Sequence, residues 1–69
     1  MSQRTMILAA LRRGEILTRR DCYLQFGCFE PGARVTEMRQ EGVPIESVRV
    51  IREGRWYPAW KLGDRLPGM

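Results

Sequence analysis

The stretch Thr18 to Gly42, TRRDCYLQFGCFEPGARVTEMRQEG, decides the fold of this chain. Thr18-Arg19-Arg20-Asp21 has the spacing of a capping box, in which a hydroxyl and an acid three residues apart satisfy each other's backbone N–H groups and start a helix. The helix that follows places Cys22, Tyr23 and Phe26 on one stripe and stops at Gly27, because glycine readily adopts the left-handed conformation found just past helix ends. Glu30-Pro31 then opens a further helix. Proline is tolerated at the first helical position, where its missing N–H is not needed, and an acid suits the positive end of the helix dipole. This helix runs to about Glu41, with Val35 and Met38 inward at three-residue spacing, Gly42 closing it, and Ala33, Thr36, Glu37 and Gln40 on the opposite face. Two short helices joined by a glycine-containing turn are thus predicted at the centre of the chain.

Working outward on the N-terminal side, Met6, Ile7, Ala10 and Leu11 recur at helical spacing between Gln3 and Arg13. Ser2 can cap the start and Gly14 can end it. Ile16 and Leu17 read as a short extended connection. On the C-terminal side the pattern changes after Pro44. Ile45 to Ile51 is rich in β-branched residues, Glu53-Gly54 is a turn signal, and Arg55 to Leu62 alternates with Trp56, Trp60 and Leu62 on one face. The prediction is a hairpin whose tryptophans bury area that a small core otherwise lacks. Pro58 cannot donate a ladder hydrogen bond, so its strand is expected at an edge or with a bulge. Gly63 to Met69 reads as a tail. The fold class expected is therefore α+β, three helices followed by a two-stranded antiparallel hairpin, in one domain over residues 1–62.

With 69 residues the chain has room for one core, and 43% apolar against 29% charged residues is a globular composition. The net charge of +4 comes from eleven arginines and one lysine against eight acids. Its basic groups are nearly all planar guanidiniums suited to phosphate oxygens and guanine edges, so a polyanion is the natural partner. The longest apolar run, Met6 to Leu11, is too short to span a bilayer, which leads to the expectation of a cytoplasmic protein without a membrane partner. No histidine is present, Cys22 and Cys28 lack metal-ligand spacing, and no phosphate loop or serine beside a base occurs. An enzyme, a metal site and a cofactor are accordingly not expected. Cys22 is read as a reduced core thiol and Cys28 as a thiol in a turn.

The run Gly27-Cys28-Phe29 followed by Ala33-Arg34-Val35-Thr36-Glu37-Met38-Arg39, within Leu17 to Gly42, resembles the small winged helix-turn-helix proteins common in bacteriophages and prophages. In those proteins an A-R-I-x-E-L-R-like string lies on the third helix, followed by a glycine and the wing. Here conservative replacements stand at both apolar positions. Glu30-Pro31 departs from the pattern, standing where a basic and an apolar residue are more typical, which speaks against a phosphate contact there.

The resemblance implies a DNA-binding regulator of transcription or recombination, its third helix in the major groove and its wing on the backbone or in the minor groove. Double-stranded DNA is then the expected partner. Arg34, Thr36 and Gln40 become the candidate base readers, by paired contact with guanine, contact with a thymine methyl and paired contact with adenine respectively. For Arg34 an ion pair with Glu37 is the competing use. Arg19 and Arg20, in the first turn of the second helix, and Arg49, Arg52 and Arg55 around the hairpin tip are candidates for the phosphate backbone or the minor groove. Arg39 is expected to support its helix. So small an interface favours self-association, as a dimer or a cooperative array. A second reading is a protein-interaction module gripping a host or phage protein through an apolar patch of Leu24 and Tyr57.

Overall fold

The computed structural model describes residues 2–63. Helix α1 spans Gln3–Arg12, its start capped by Ser2, whose Oγ accepts the Thr5 N–H at 3.1 Å. Ile7, Ala10 and Leu11 are buried and Met6 is half-buried, as the spacing requires. The next segment differs from expectation. Leu17–Thr18 is not a plain connection but a strand, β1. A two-residue strand carries no periodicity of its own, and it exists because residues far along the chain supply its hydrogen-bond partners.

Helix α2, Arg19–Phe26, begins with the complete capping box: Asp21 N–H donates to Thr18 Oγ1 at 3.0 Å, and Thr18 N–H donates to Asp21 Oδ2 at 3.0 Å. It ends on Gly27 at φ 66°. The Gly27 N–H donates to the Tyr23 carbonyl, the closing bond of a left-handed glycine cap, and the Cys28 N–H reaches back to the Cys22 carbonyl. Cys22 is buried and Phe26 packs against the core, but Tyr23 is exposed. In a helix this short the Cys22–Phe26 row faces inward, and Tyr23, one residue and about 100° away, turns out to meet Phe29 with ring centroids 5.1 Å apart. This left-handed turn carries Cys28 back into the core, where it is 1% exposed.

Helix α3, Pro31–Gln40, has Pro31 in its first turn and buries Pro31, Val35 and Met38. Glu30 stands at its N-cap without a side-chain capping bond. Strands β2, Ile45–Arg52, and β3, Arg55–Leu62, form the expected hairpin. Its two-residue loop has Glu53 at φ 54° and Gly54 at φ 77°, the paired positive φ values of a turn that matches strand twist.

The sheet has three strands in the order β1-β3-β2, all antiparallel, with Leu17 opposite Trp60 and Thr18 opposite Ala59. Strand β3 is central only over that short overlap. Pro58, paired with Arg49 on β2, lies just past the end of β1, where one side of β3 has no neighbour and a missing N–H costs nothing.

The register places Ile45–Leu62, Ser47–Trp60, Arg49–Pro58 and Ile51–Trp56 in successive rows on one face. Near the base this face covers the helices: Ile45 joins the core of Ile7, Ala10, Leu11, Leu17, Cys22, Cys28, Val35 and Met38, and Trp60 and Leu62 pack against it. Trp56 does not share that burial. It is 64% exposed, because the hairpin continues beyond the helical body and nothing covers its outer rows. Arg39 ties α3 to the base of the wing, its Nε donating to the Ile45 carbonyl at 3.1 Å and its Nη2 to Ser47 Oγ at 3.0 Å. Gly63, read from the sequence as the start of a tail, donates its N–H to the Pro44 carbonyl and closes the base of the hairpin. Residues 64–69 of the expected tail lie outside the described residues.

Candidate nucleic-acid interface

The start of α2 and the wing meet in a recess lined by Thr18, Arg19, Arg20 and Asp21 from one side and by Arg52, Glu53, Tyr57 and Pro58 from the hairpin. Arg52 reaches across from β2 and donates to Asp21 through both terminal nitrogens, Nη1 to Oδ1 and Nη2 to Oδ2, each at 3.1 Å. Such paired contacts fix geometry as well as charge. Burial alone would push the Asp21 carboxyl up, but the Arg52 guanidinium and the bonds from the Thr18 backbone and side chain hold it below its ordinary value of 3.8. One acid therefore serves two elements. It closes the capping box of α2 and anchors the wing.

That bond sorts the arginines proposed for the wing and the backbone. Arg52 is engaged within the protein. Arg19, Arg20, Arg49 and Arg55 are exposed and form no ion pair among the described residues. Arg19 and Arg20 project from the first turn of α2 into the recess, while Arg49 and Arg55 stand on the outer hairpin. The structure thus brings Arg19, Arg20 and Arg52 together at one place and sets Arg49 apart along β2.

On α3, Thr36 and Gln40 are exposed, and Arg34 is half-buried with its Nη2 on Glu37 Oε2 at 2.8 Å. The competing use foreseen for Arg34 is therefore the one adopted in the free protein. Its Nε is buried without a hydrogen-bond partner, which leaves one polar group whose bonding is incomplete. The apolar patch expected from Leu24 and Tyr57 is not a shared feature of the recess. Tyr57 lines it beside Arg52, and Leu24 is exposed elsewhere on α2.

Two features escaped the sequence. The Asp21–Arg52 link joins residues too far apart for any local pattern to reveal. The exposure of Ile51 and Trp56 follows from eight-residue strands outreaching a small helical body, and strand length is the signal that could have suggested it.

Burial raises the Cys22 thiol to about 11, so it stays a protonated core side chain. Among the described residues no group of three or more metal-ligating side chains assembles, and no helix is long and apolar enough to cross a membrane.

A family model described as a winged helix-turn-helix domain matches residues 2–55, from the cap of α1 to the first residue of β3. No curated protein and no solved structure matches the chain. The matched segment holds the capping box, the left-handed Gly27 cap, α3 and the wing turn, and a domain of this type is typically a DNA-binding, non-catalytic module. By its family match, its helix order and its three-stranded wing, the chain belongs to the winged helix-turn-helix domain family.

Proposed function

We propose that this protein is a sequence-reading DNA-binding regulator of the small phage type, acting in the cytoplasm on transcription or recombination. It lays α3 in the major groove and sets the hairpin on the backbone or in the minor groove. One observation carries the reading: Arg19, Arg20, Arg49 and Arg55 are exposed and without carboxylate partners among the described residues, whereas Arg4, Arg13 and Arg34 are each paired with a glutamate. Unpaired guanidiniums on a chain of net charge +4 are what a phosphate backbone requires.

Thr36 and Gln40 then face bases, and Arg34 reads guanine only by leaving Glu37. Arg52 holds the wing in place through Asp21. With so small a contact area, useful affinity comes from a dimer or a cooperative array on repeated sites.

The test is fluorescence anisotropy with the protein's own upstream duplex and a scrambled duplex over a salt series. Tighter binding to the native duplex, and a salt slope that falls by about one for each of Arg49→Ala and Arg55→Ala, is the expected result. Absence of binding to either duplex at low salt overturns it.

The second reading, a protein-interaction module, is favoured by the exposed Tyr23–Phe29 pair, at 49% and 75% exposure, and by Leu24, 62% exposed on the same helix as Tyr23. Loss of activity on Leu24→Asp, with Arg49→Ala and Arg55→Ala silent, selects it.

A further inference from the structure

The outer half of the hairpin exposes a surface that phosphate binding does not explain. Ile51 and Trp56 are directly opposite partners in the β2–β3 register, on the face that carries Arg49 one row back and Trp60 another row back. At the Trp60 row this face meets the core, but at the Ile51–Trp56 row it is bare, with exposures of 57% and 64%. Directly opposite side chains are within reach of one another, so isoleucine and indole form one apolar prominence near the tip. Beyond the Ser47–Trp60 row the hairpin carries Arg49, Arg52 and Arg55 against a single acid, Glu53.

We propose that Trp56, supported by Ile51, is an apolar wedge that enters the DNA minor groove and partly unstacks a base step, bending the duplex. This deepens the DNA-binding reading and rests on it. The occupant follows from charge and reach. An apolar ridge flanked by Arg49 and Arg55, which have no carboxylate partners among the described residues, fits a groove walled by phosphates and floored by base edges, where wedging side chains are flanked by cationic contacts. Seven residue steps separate the Ile45–Leu62 base from the Arg52–Arg55 tip, about 23 Å of extended chain. That exceeds half a helical turn of DNA, about 17 Å, so a wing rooted beside α3 is long enough to reach from one groove to the next. A flexible pyrimidine–purine step is the preferred site, because it unstacks at least cost.

Trp56 is exposed and outside the core, so its replacement leaves the fold intact, and circular dichroism of each variant checks this. The experiment uses the full chain with a duplex labelled at both ends for energy transfer and carrying 2-aminopurine at a central TA step. The wild type shortens the end-to-end distance, brightens 2-aminopurine, and loses part of its own tryptophan fluorescence on binding. Trp56→Ala binds about tenfold more weakly with an unchanged salt slope, and loses the bend and the 2-aminopurine signal. Trp56→Phe retains much of both. Arg49→Ala, in contrast, lowers the salt slope.

Trp56→Ala that binds and bends like the wild type overturns the wedge and leaves the DNA-binding reading standing. A wild type that binds no duplex at low salt overturns both. A tryptophan blue shift with anionic phosphatidylserine vesicles, without any response to DNA, overturns the wedge in favour of a lipid surface.

Discussion

In the helical body Ile7, Leu11, Leu17, Val35 and Met38 are each at most 2% exposed, whereas at the far end of the hairpin Ile51 and Trp56 are 57% and 64% exposed. The charges divide less sharply. Arg4 pairs with Glu41, Arg13 with Glu15 and Arg34 with Glu37, while Arg49 and Arg55 on the hairpin have no such partner among the described residues. The body closes over its apolar core but leaves Tyr23, Leu24 and Phe29 exposed and Arg12, Arg19 and Arg20 without an ion pair among the described residues. The outer hairpin engages Arg52 and leaves Ile51, Trp56, Arg49 and Arg55 open. Since residues of the same types occur in both regions, their role is set by whether the chain around them can close over them. The one ion pair between α2 and the outer wing, Asp21–Arg52, fixes how the open region is presented by the closed one.

The sharpest way to break this contrast is truncation in each region. Met38→Ala removes a fully buried side chain and is expected to cost about 2–5 kcal/mol, enough to unfold much of so small a domain. Ile51→Ala is expected to change stability by no more than about 0.5 kcal/mol. Urea denaturation followed by circular dichroism measures both, and comparable losses from the two would show that the wing tip is as much core as the body.

A smaller effect is expected at the junction. Thr18→Ala removes the hydroxyl that caps α2 and so costs about 1 kcal/mol, read from the same urea midpoints. Stability unchanged by this substitution would mean that the capping box does not hold the start of α2.

The smallest is a pH dependence. The carboxyl of Asp21 is held below its ordinary value of 3.8 despite burial, so its contribution is fully present above that pH and is lost as pH falls through its folded value. Arg52→Ala should therefore lower the thermal midpoint at neutral pH, with the gap from the wild type narrowing as pH falls below 3.8. A gap constant with pH would mean that Arg52 acts through packing and not through Asp21.

Most of the helical framework was legible because its signals are local. Thr18 and Asp21 lie three residues apart, Gly27 and Pro31 punctuate the chain at the boundaries they predict, and Glu53-Gly54 marks the hairpin turn. The candidate site was legible only as residue types. Arg19, Arg20, Arg49 and Arg55 could be named from charge and position, but nothing in the sequence separated them from Arg52, whose carboxylate partner comes from another element. Trp56 was assigned to the core because strand alternation fixes which face a side chain is on and not how far along the strand that face is covered.

By itself, then, the sequence determined where helices start and stop, where the hairpin turns, and which residues share a face, since each of these depends on neighbours within one or two turns of chain. The tertiary structure alone decided that Leu17–Thr18 becomes a strand, that Cys28 is buried, that Arg52 is engaged and that Trp56 is exposed. These depend on which distant segments meet and on where a small core ends, and a burial or a partner exists only once those segments are brought together.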